Sequence, residues 1–309
     1  MIEHIARGVY YLGIHLLFAS IAWSAAWVLT SLRSGSATAK YWIWVAAAFN
    51  FFVPLGAVID RLWAQQLSWA RPIGLIGDVG LGVARNATVI ALVWLLGTGL
   101  MLTRLWLRIR AERRDPEAAE RDGTCEAGRS FLAHGIPIRL SGTRQIPAVE
   151  GLLRPYICLP RGIDRLLSEH ELNAVLTHEL THARRRDNLI RLTYEVGLCV
   201  LWFHPLIWVT GHRLALYREL SCDEPVIRSA QGGELVSALS KLANPQGAFL
   251  LRASAASFIG PRLARLTAVM PEPASAATNM LLAVAFGAVM LAGVFETVAH
   301  TACCFIART

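Results

Sequence analysis

SEHELNAVLTHELTHARRRD, at residues 168–187, is the stretch that the rest of this chain is expected to hold in place. It contains the pattern H-E-x-x-H at residues 178–182. On a helix, His178 and His182 project from the same face and can reach a single metal ion. Glu179 lies beside them, where its carboxylate can take a proton from water at that metal. Because five letters also match by chance in charged helices, the surrounding sequence has to support the site.

A helix start precedes the motif. Ser168 and Glu171 form the S-x-x-E pattern of a capping box, in which each side chain accepts a hydrogen bond from a free backbone N–H of the first turn. Ala174, Val175 and Leu176 then provide apolar side chains. The sequence therefore predicts one capped helix that carries both histidines.

The composition indicates a membrane protein. The chain has 309 residues, of which 54% are hydrophobic and 17% are charged, and its mean hydropathy is +0.43. That balance is too apolar for an ordinary soluble domain. The six cysteines form no C-x-x-C pair, so neither a zinc knuckle nor a dithiol redox site is predicted.

The net charge of +8 raises the question of nucleic-acid binding, but no recognition motif accompanies it. We interpret the charge as arginines at membrane edges together with a basic cytosolic face. We therefore expect no direct contact with nucleic acid, and we expect the lipid bilayer to surround the apolar segments.

Four apolar stretches predict membrane spans. They lie at about residues 8–30, 41–59, 87–107 and 276–295. Residues 61–85 are also apolar, but Arg71 and Asp78 interrupt them. An interfacial or extramembrane segment is expected there.

Arginines mark the end of the third span. Five of them stand at positions 104, 108, 110, 113 and 114, and such clusters favour the cytoplasmic side. The prediction is a multi-pass protein of the cell (inner or plasma) membrane with both termini outside. Its membrane domain covers residues 1–108 and its cytosolic domain 109–275, and a short external tail at 296–309 follows the fourth span.

The cytosolic domain is predicted to be α+β within a mainly α protein. Residues 138–141 and 156–159 have the character of short strands ahead of the motif helix. Helices are expected at 187–203 and from Pro205 onward, because that proline interrupts the apolar run 196–209. Two interpretations of this run stay open: a buried helical hairpin, or a re-entrant or membrane-surface hairpin that holds the site near the bilayer.

A catalytic zinc site has three protein ligands and one open position, so a third ligand is needed. Glu219 is the candidate, because the helical layout can return it to the motif helix. Asp223, one turn further on, could orient a ligand histidine, and Asp187 could do the same or simply start the next helix. The alternative is that Glu219 and Asp223 form a solvated acidic face paired with arginines.

Such a site would hydrolyse a peptide bond, with Glu179 as the base that passes a proton to the leaving amine. A further donor would be needed to stabilise the oxyanion. His212, two helical turns before Glu219, is a candidate, as are Tyr194 and Tyr217. The sequence does not separate these residues from ones that serve packing.

Several blocks resemble the BlaR/MecR-type membrane metallopeptidases. They are IPAVEGLLRPYICLPRGI (146–163), HELTHARRRDN (178–188), WFHPLIW (202–208) and RELSCDEPVI (218–227). The resemblance implies a gluzincin-like zinc peptidase domain between the third and fourth spans. It implies His178, His182 and Glu219 as the Zn²⁺ ligands, Glu179 as the catalytic base, and residues 147–160 as the region that holds substrate as an added strand.

The receptors of that family carry an external penicillin-binding sensor after the fourth span. Fourteen residues follow Phe295 here, so we expect the sensor to be absent and the signal to come from a separate sensor protein or a homo-oligomer. Those receptors are also cut between the third-ligand helix and the last span. Ser257-Phe258 resembles that cut site, which suggests self-cleavage.

The leading hypothesis is a membrane-embedded zinc endopeptidase in a regulatory pathway. Its protein substrate would be cytosolic or membrane-proximal, such as a winged-helix transcriptional repressor, or the chain itself. A housekeeping membrane protease of the HtpX or prenyl-protein peptidase type is the alternative enzyme. A non-catalytic signalling scaffold is the alternative without turnover, and Glu179 argues against it because a purely structural zinc site needs no base.

Overall fold

The computed structural model describes residues 2–32, 35–53, 77–113, 135–142, 144, 146–243, 259–267, 275–288 and 290. Its helices and strands, in chain order, are α1 (Ile2–Ser31), α2 (Ala37–Phe52), α3 (Gly77–Arg113), β1 (Ile138–Ser141), β2 (Ala148–Glu150), β3 (Tyr156–Pro160), α4 (Ile163–Leu166), α5 (Glu169–Arg185), α6 (Asp187–Val200), α7 (Pro205–Arg228), α8 (Gly232–Ala243), α9 (Ile259–Leu266) and α10 (Ala276–Ala288). The described chain is therefore mainly helical with one small sheet.

The sheet has the strand order β1-β3-β2. β1 pairs in parallel with β3, and β2 pairs antiparallel with β3. β3 is central, and its residues Ile157, Cys158 and Leu159 are almost completely buried. β1 and β3 match the two strands that the sequence pattern predicts, whereas that pattern predicts no strand at β2. With three residues, none of them fully buried, β2 carries too little pattern to indicate a strand.

Helix α5 starts where the capping box predicts. Ser168 Oγ accepts a hydrogen bond from the Glu171 N–H, and the Glu171 carboxylate accepts one from the Ser168 N–H. At the other end, Arg186 adopts a left-handed conformation (φ 56°) that turns the chain directly into α6. Because no loop separates the two helices, Asp187 stays close to the last turn of α5.

The buried apolar side chains of the described residues form two clusters. One packs α1, α2, α6, α10 and most of α7, and it includes Trp44 and Phe51. The other packs the sheet against α4, α5, α8 and α9, together with Val226 near the end of α7. Leu220 belongs to the first cluster and Val226 to the second, so α7 passes from one to the other close to Glu219. The motif helix meets α7 at this junction.

Among the described residues, one stretch is able to cross a membrane by length and composition, and it is Thr88–Ala111 within α3. His15–Ser31 and Ala276–Ala288 are shorter apolar helices. The predicted spans 41–59 and 276–295 extend beyond the described residues. The number of four spans therefore stays a prediction.

Helix α3 is longer than the predicted third span. It begins at Gly77, so the end of the segment expected to be interfacial continues into the span as one helix. Residues 61–76 lie outside the described residues. The glycines at 77, 80 and 82, which weaken helices, do not interrupt α3.

Candidate metal centre

Three side-chain atoms from two helices converge on one point. Nε2 of His178 lies 3.2 Å from Nε2 of His182. These two ring atoms lie 3.7 and 3.9 Å, respectively, from Glu219 Oε2. The histidines come from consecutive turns of α5, and Glu219 comes from α7. The structure thus brings together the three residues that the sequence put forward as metal ligands.

The triangle of ligand atoms fits a zinc ion. In a tetrahedral site with metal–ligand bonds of about 2.0–2.2 Å, neighbouring ligand atoms lie about 3.3–3.6 Å apart. The three separations given above scatter around that range. Two imidazoles and a carboxylate are also a donor set that catalytic zinc accepts while keeping a fourth position open. These three residues could therefore hold zinc.

The ligand side chains are shielded from solvent, with 6%, 12% and 16% of the His178, His182 and Glu219 side chains exposed. Burial and the nearby Arg262 lower the pKa of His178, but Asp223 and Glu219 outweigh them and raise it to about 9. Burial acts to raise the pKa of Glu219, but His178 and neighbouring cations hold it well below its usual value. A raised pKa favours the protonated imidazole, and metal binding would compete with that proton.

Asp187 supports His182 from the side away from the other ligands. Its Oδ2 lies 2.6 Å from His182 Nδ1, so Nδ1 can carry the proton and leave Nε2 free for a metal. Arg185 donates to both Asp187 oxygens, at 2.7 and 2.6 Å. Tyr41 from α2 donates a further hydrogen bond to Oδ1, at 3.0 Å. Burial acts to raise the pKa of Asp187, but His182 and Arg185 lower it to about 2.

Asp223 supports His178 in a comparable way. It is fully buried, and its Oδ1 lies 3.0 Å from His178 Nδ1, although Nδ1 makes no well-aligned hydrogen bond within the described residues. Arg262 from α9 donates two hydrogen bonds to Asp223, at 3.0 and 2.8 Å. Another nitrogen of Arg262 lies 3.5 Å from Glu219 Oε2. One arginine therefore contacts both an orienting carboxylate and a candidate ligand.

Four residues of this arrangement were not anticipated from the sequence: Tyr41, Arg185, Arg218 and Arg262. Arg218 donates two hydrogen bonds to Glu219 Oε1, at 3.1 and 3.0 Å, which leaves Oε2 facing the histidines. Arg185 and Arg218 lie within three residues of His182 and Glu219 in the sequence, so their proximity to the site could have been predicted. Tyr41 and Arg262 lie 146 and 39 residues from the carboxylates that they bind, and no local pattern marks them.

Glu179 is half-buried beside the ligands. Its charge acts on Arg262 and on Cys222, so it lies near both. Within the described part of the chain, no hydrogen bond engages its carboxylate, whereas arginines bind the carboxylates of Asp187, Glu219 and Asp223. A carboxylate without a fixed partner is suited to exchanging a proton with water.

The other predicted site residues do not belong to the group of candidate metal ligands and the side chains that bind them. His212 is exposed on α7, and its role as an oxyanion donor stays a prediction. Tyr194 and Tyr217 donate their hydroxyl protons to the backbone carbonyls of Ile207 and Thr30, so both serve packing. The predicted self-cleavage pair, Ser257-Phe258, lies outside the described residues.

Strand β2 lies beside the motif helix. It packs against α5, and Asn188 at the start of α6 donates to the carbonyls of Val149 and Gly151, at 2.9 and 3.3 Å. β3 is its one strand neighbour among the described residues, so β2 stands at the edge of the sheet. That position fits the expectation that residues 147–160 hold an added strand, although Asn188 occupies part of the edge.

Comparisons with known proteins point to one family. A family model described as BlaR1 peptidase M56 matches residues 78–234. The regulatory protein BlaR1 of Bacillus licheniformis is 29% identical over 174 residues, which are 53% of this chain and 28% of that protein. The methicillin resistance mecR1 protein of Staphylococcus aureus (strain Mu50 / ATCC 700699) is 25% identical over 183 residues, which are 56% of this chain and 30% of that protein.

The matched region is less than a third of the length of either relative. It contains the sheet, the motif helix and α7, and so all three candidate ligands. The match favours the regulatory metallopeptidase hypothesis over a housekeeping membrane protease. Because the family model covers half of its residues, this chain belongs to the BlaR1 peptidase M56 family.

Proposed function

We propose that this chain is a membrane-embedded, zinc-dependent endopeptidase of a regulatory pathway, with its peptidase domain on the cytoplasmic side of the cell membrane. The observation that carries the proposal is the convergence of His178, His182 and Glu219, with the unengaged carboxylate of Glu179 beside them. Family membership supports protease activity. The apolar stretch Thr88–Ala111 supports a membrane location.

The proposed mechanism assigns the ligands to His178, His182 and Glu219. Zinc held there would lower the pKa of water toward neutrality and polarise a peptide carbonyl. Glu179 removes a proton from the attacking water and delivers it to the leaving amine. Asp187 and Asp223 keep the two Nδ1 atoms protonated, so that both Nε2 lone pairs face the metal position.

Strand β2 is the proposed alignment element for the substrate. An extended peptide that is added to the edge of a sheet is held by backbone hydrogen bonds. Its sequence is then selected by the pockets that its side chains enter. Because β2 packs against α5, a peptide in that position would run past the motif helix. Glu179 would then lie within reach of its backbone.

The proposed substrate is a cytosolic or membrane-proximal protein. Two relatives are named as a regulatory protein and a methicillin resistance protein, which supports a substrate such as a winged-helix repressor. Self-cleavage at Ser257-Phe258 belongs to the same proposal. So does activation by a separate sensor protein or within a homo-oligomer.

Comparing cells that express the wild-type chain or Glu179→Gln tests this function. Quantitative proteomics of the membrane and cytosolic fractions should reveal at least one protein that is shortened only with the wild type. Glu169→Gln is the matched control, because it changes an exposed glutamate in the first turn of the same helix, and it should behave as the wild type. Identical fragment patterns for the wild type and Glu179→Gln would favour the signalling scaffold instead.

A further inference from the structure

The link between α6 and α7 is an apolar hairpin. Residues 196–209, VGLCVLWFHPLIWV, contain no Asp, Glu, Lys or Arg. Several of their large side chains are exposed, by 36% to 47%: Val196, Val200, Phe203, Trp208 and Val209. Water-facing hairpins rarely carry so many adjacent apolar side chains, and such a patch usually marks an interaction surface.

The hairpin packs against the middle of the apolar part of α3. Trp94 Nε1 donates a hydrogen bond to the carbonyl of Val200, at 2.8 Å. One turn further along α3, a Cβ added at Gly97 would overlap the ring of Trp202, so the two elements are in close contact there. Trp94 and Gly97 lie near the centre of the apolar run 87–103. The tip of the hairpin therefore reaches the level of the middle of that run.

The polar end of the same helix pair lies at the arginine-rich end of α3. Glu195 on α6 forms an ion pair with Arg108 and a second one with Arg191 on its own helix. Helix α6 therefore runs alongside α3 from the arginine cluster toward the centre of the span. Its charged residues lie within its first nine residues, and its last five residues are uncharged and lead into the apolar tip.

The apolar surface of the hairpin continues that of α3. Leu92, Leu95 and Leu96 on α3 are 62%, 56% and 67% exposed, which is the pattern of a helix that faces lipid. The tip of the hairpin lies at the same depth as these leucines. The exposed side chains of α3 and of the hairpin therefore face the same surroundings. Hydrocarbon chains are therefore the occupant that these contacts favour.

The length of α6 sets the depth of the metal centre. Asp187 and Val200 are the first and last residues of α6, so they lie at most about 20 Å apart along the helix axis. The hydrocarbon core extends about 15 Å from its centre, and each headgroup layer adds roughly 5–7 Å. Asp187, directly behind His182, then lies no further from the bilayer centre than the headgroup layer.

We propose that the hairpin of residues 196–209 inserts into lipid hydrocarbon from the arginine-rich side of α3, and that the metal centre lies at headgroup level. This inference rests on the proposed membrane insertion of α3. It deepens the proposed function, because a site at that level acts on polypeptide segments that come to the membrane surface. The substrate class is then polypeptide segments at the membrane surface, which belong either to a membrane protein or to a cytosolic protein that comes there.

Spin-label depth measurements test the inference. Nitroxides are attached to Phe203→Cys, Leu96→Cys, Leu166→Cys or Arg184→Cys in the full chain, reconstituted in phosphatidylcholine–phosphatidylglycerol vesicles. Cys125, Cys303 and Cys304 are replaced by serine, and the remaining native cysteines are buried: Cys158, Cys199 and Cys222. Leu166 is the matched control for Phe203, because it is exposed to a similar extent, 48% against 43%, but lies on α4 of the peptidase domain.

The account predicts lipid exposure at Phe203. Collisions of its label with a water-soluble nickel chelate should be on the order of ten-fold rarer than at Leu166, because polar complexes partition poorly into hydrocarbon. Oxygen, which concentrates in lipid, should show the reverse order. The label at Leu96 should resemble that at Phe203, and the label at Arg184, near the site, should lie at the level of the phosphates.

Each contrary outcome has one meaning. If the label at Leu96 is open to the nickel chelate, the proposed membrane insertion of α3 is wrong. If Leu96 is lipid-exposed but Phe203 behaves as Leu166 does, the hairpin inference alone is overturned. Protection of Phe203 from both oxygen and nickel would assign the surface to a protein partner instead of lipid. A label at Arg184 far out in water would overturn the headgroup position of the site.

Discussion

The two histidines of the metal centre are supported from different parts of the molecule. His182 is supported by Asp187, which follows it by five residues, and then by Arg185 and by Tyr41 from α2. His178 is supported by Asp223, which is 45 residues away on α7, and Asp223 is bound by Arg262 from α9. One half of the site is therefore mostly local and is joined to α2, and the other half depends on the packing of α7 and α9.

This difference predicts how strongly substitutions in each half will affect stability and metal binding. Asp187 has two donors besides His182, so it keeps a partner when one of them is lost. Asp223 is fully buried, and Arg262 is the arginine that balances its charge. Removing the arginine from a buried ion pair leaves the carboxylate poorly compensated, which is strongly destabilising. We therefore expect substitutions on the His178 side to have larger effects.

Replacing Asp223 should have the largest effect. Asp223→Ala leaves His178 without its orienting group and Arg262 without its buried partner, and breaking such a pair costs about 3–5 kcal/mol. Zinc affinity should fall by about 10–100-fold. Chelator competition and chemical unfolding measure the two quantities. Asp164→Ala, which changes an exposed acid on α4, is the control and should alter neither.

Removing Arg262 should have the next largest effect. Arg262→Gln takes two charge-assisted hydrogen bonds from Asp223, each worth about 1.5–3 kcal/mol. We expect a lower free energy of unfolding and weaker zinc binding than in the wild type, but a smaller loss than with Asp223→Ala. The control is Arg228→Gln, because Arg228 is 68% exposed and pairs with Glu224, outside the metal centre. Equal losses in the two variants would show that α9 does not support the site.

On the His182 side, removing one hydroxyl should have a smaller effect. Tyr41→Phe deletes one hydrogen bond to Asp187 and keeps both bonds from Arg185. A net loss of about 0.5–1.5 kcal/mol corresponds to zinc binding that is about two- to ten-fold weaker. Tyr156→Phe is the matched control, because it removes a tyrosine–carboxylate bond to Glu150 in the sheet. If both variants bind zinc as the wild type does, α2 does not support the site.

The smallest effect on the metal centre is expected from a residue outside both halves, at the start of α5. Hydrogen bonds from Lys241, Ser237 and the Ser168 backbone lower the pKa of Glu171 from 4.5 to about 2. Its charge therefore stabilises the fold above pH 4.5, and this contribution is lost as the pH falls to about 2. In metal-free protein, the difference in melting temperature between the wild type and Glu171→Gln should shrink across that interval. A difference that stays constant with pH would contradict the assignment.

The local half of the site is also the half that sequence reasoning could reach. The capping box, the motif helix and the position of Asp187 after it follow from short-range patterns, and β1 and β3 have the composition of short strands. Asp223 was found because it lies one turn from Glu219. Tyr41 and Arg262 were missed, because their roles depend on how α2 packs against α6 and α7 and on how α9 packs against α7. β2 is local in the sequence but was also missed, because three half-buried residues are too few to show a strand pattern.

Zinc content is the most direct test of the central claim, which is that His178, His182 and Glu219 hold the metal while Glu179 acts as the base. Purified wild-type, Glu179→Gln and Glu219→Gln chains are dialysed against a weak chelator, and their bound zinc is counted by mass spectrometry. The account predicts one zinc ion per chain for the wild type and for Glu179→Gln, which loses only proteolysis, and substantial loss of zinc for Glu219→Gln. Full zinc content in Glu219→Gln, or loss of zinc from Glu179→Gln, would contradict it.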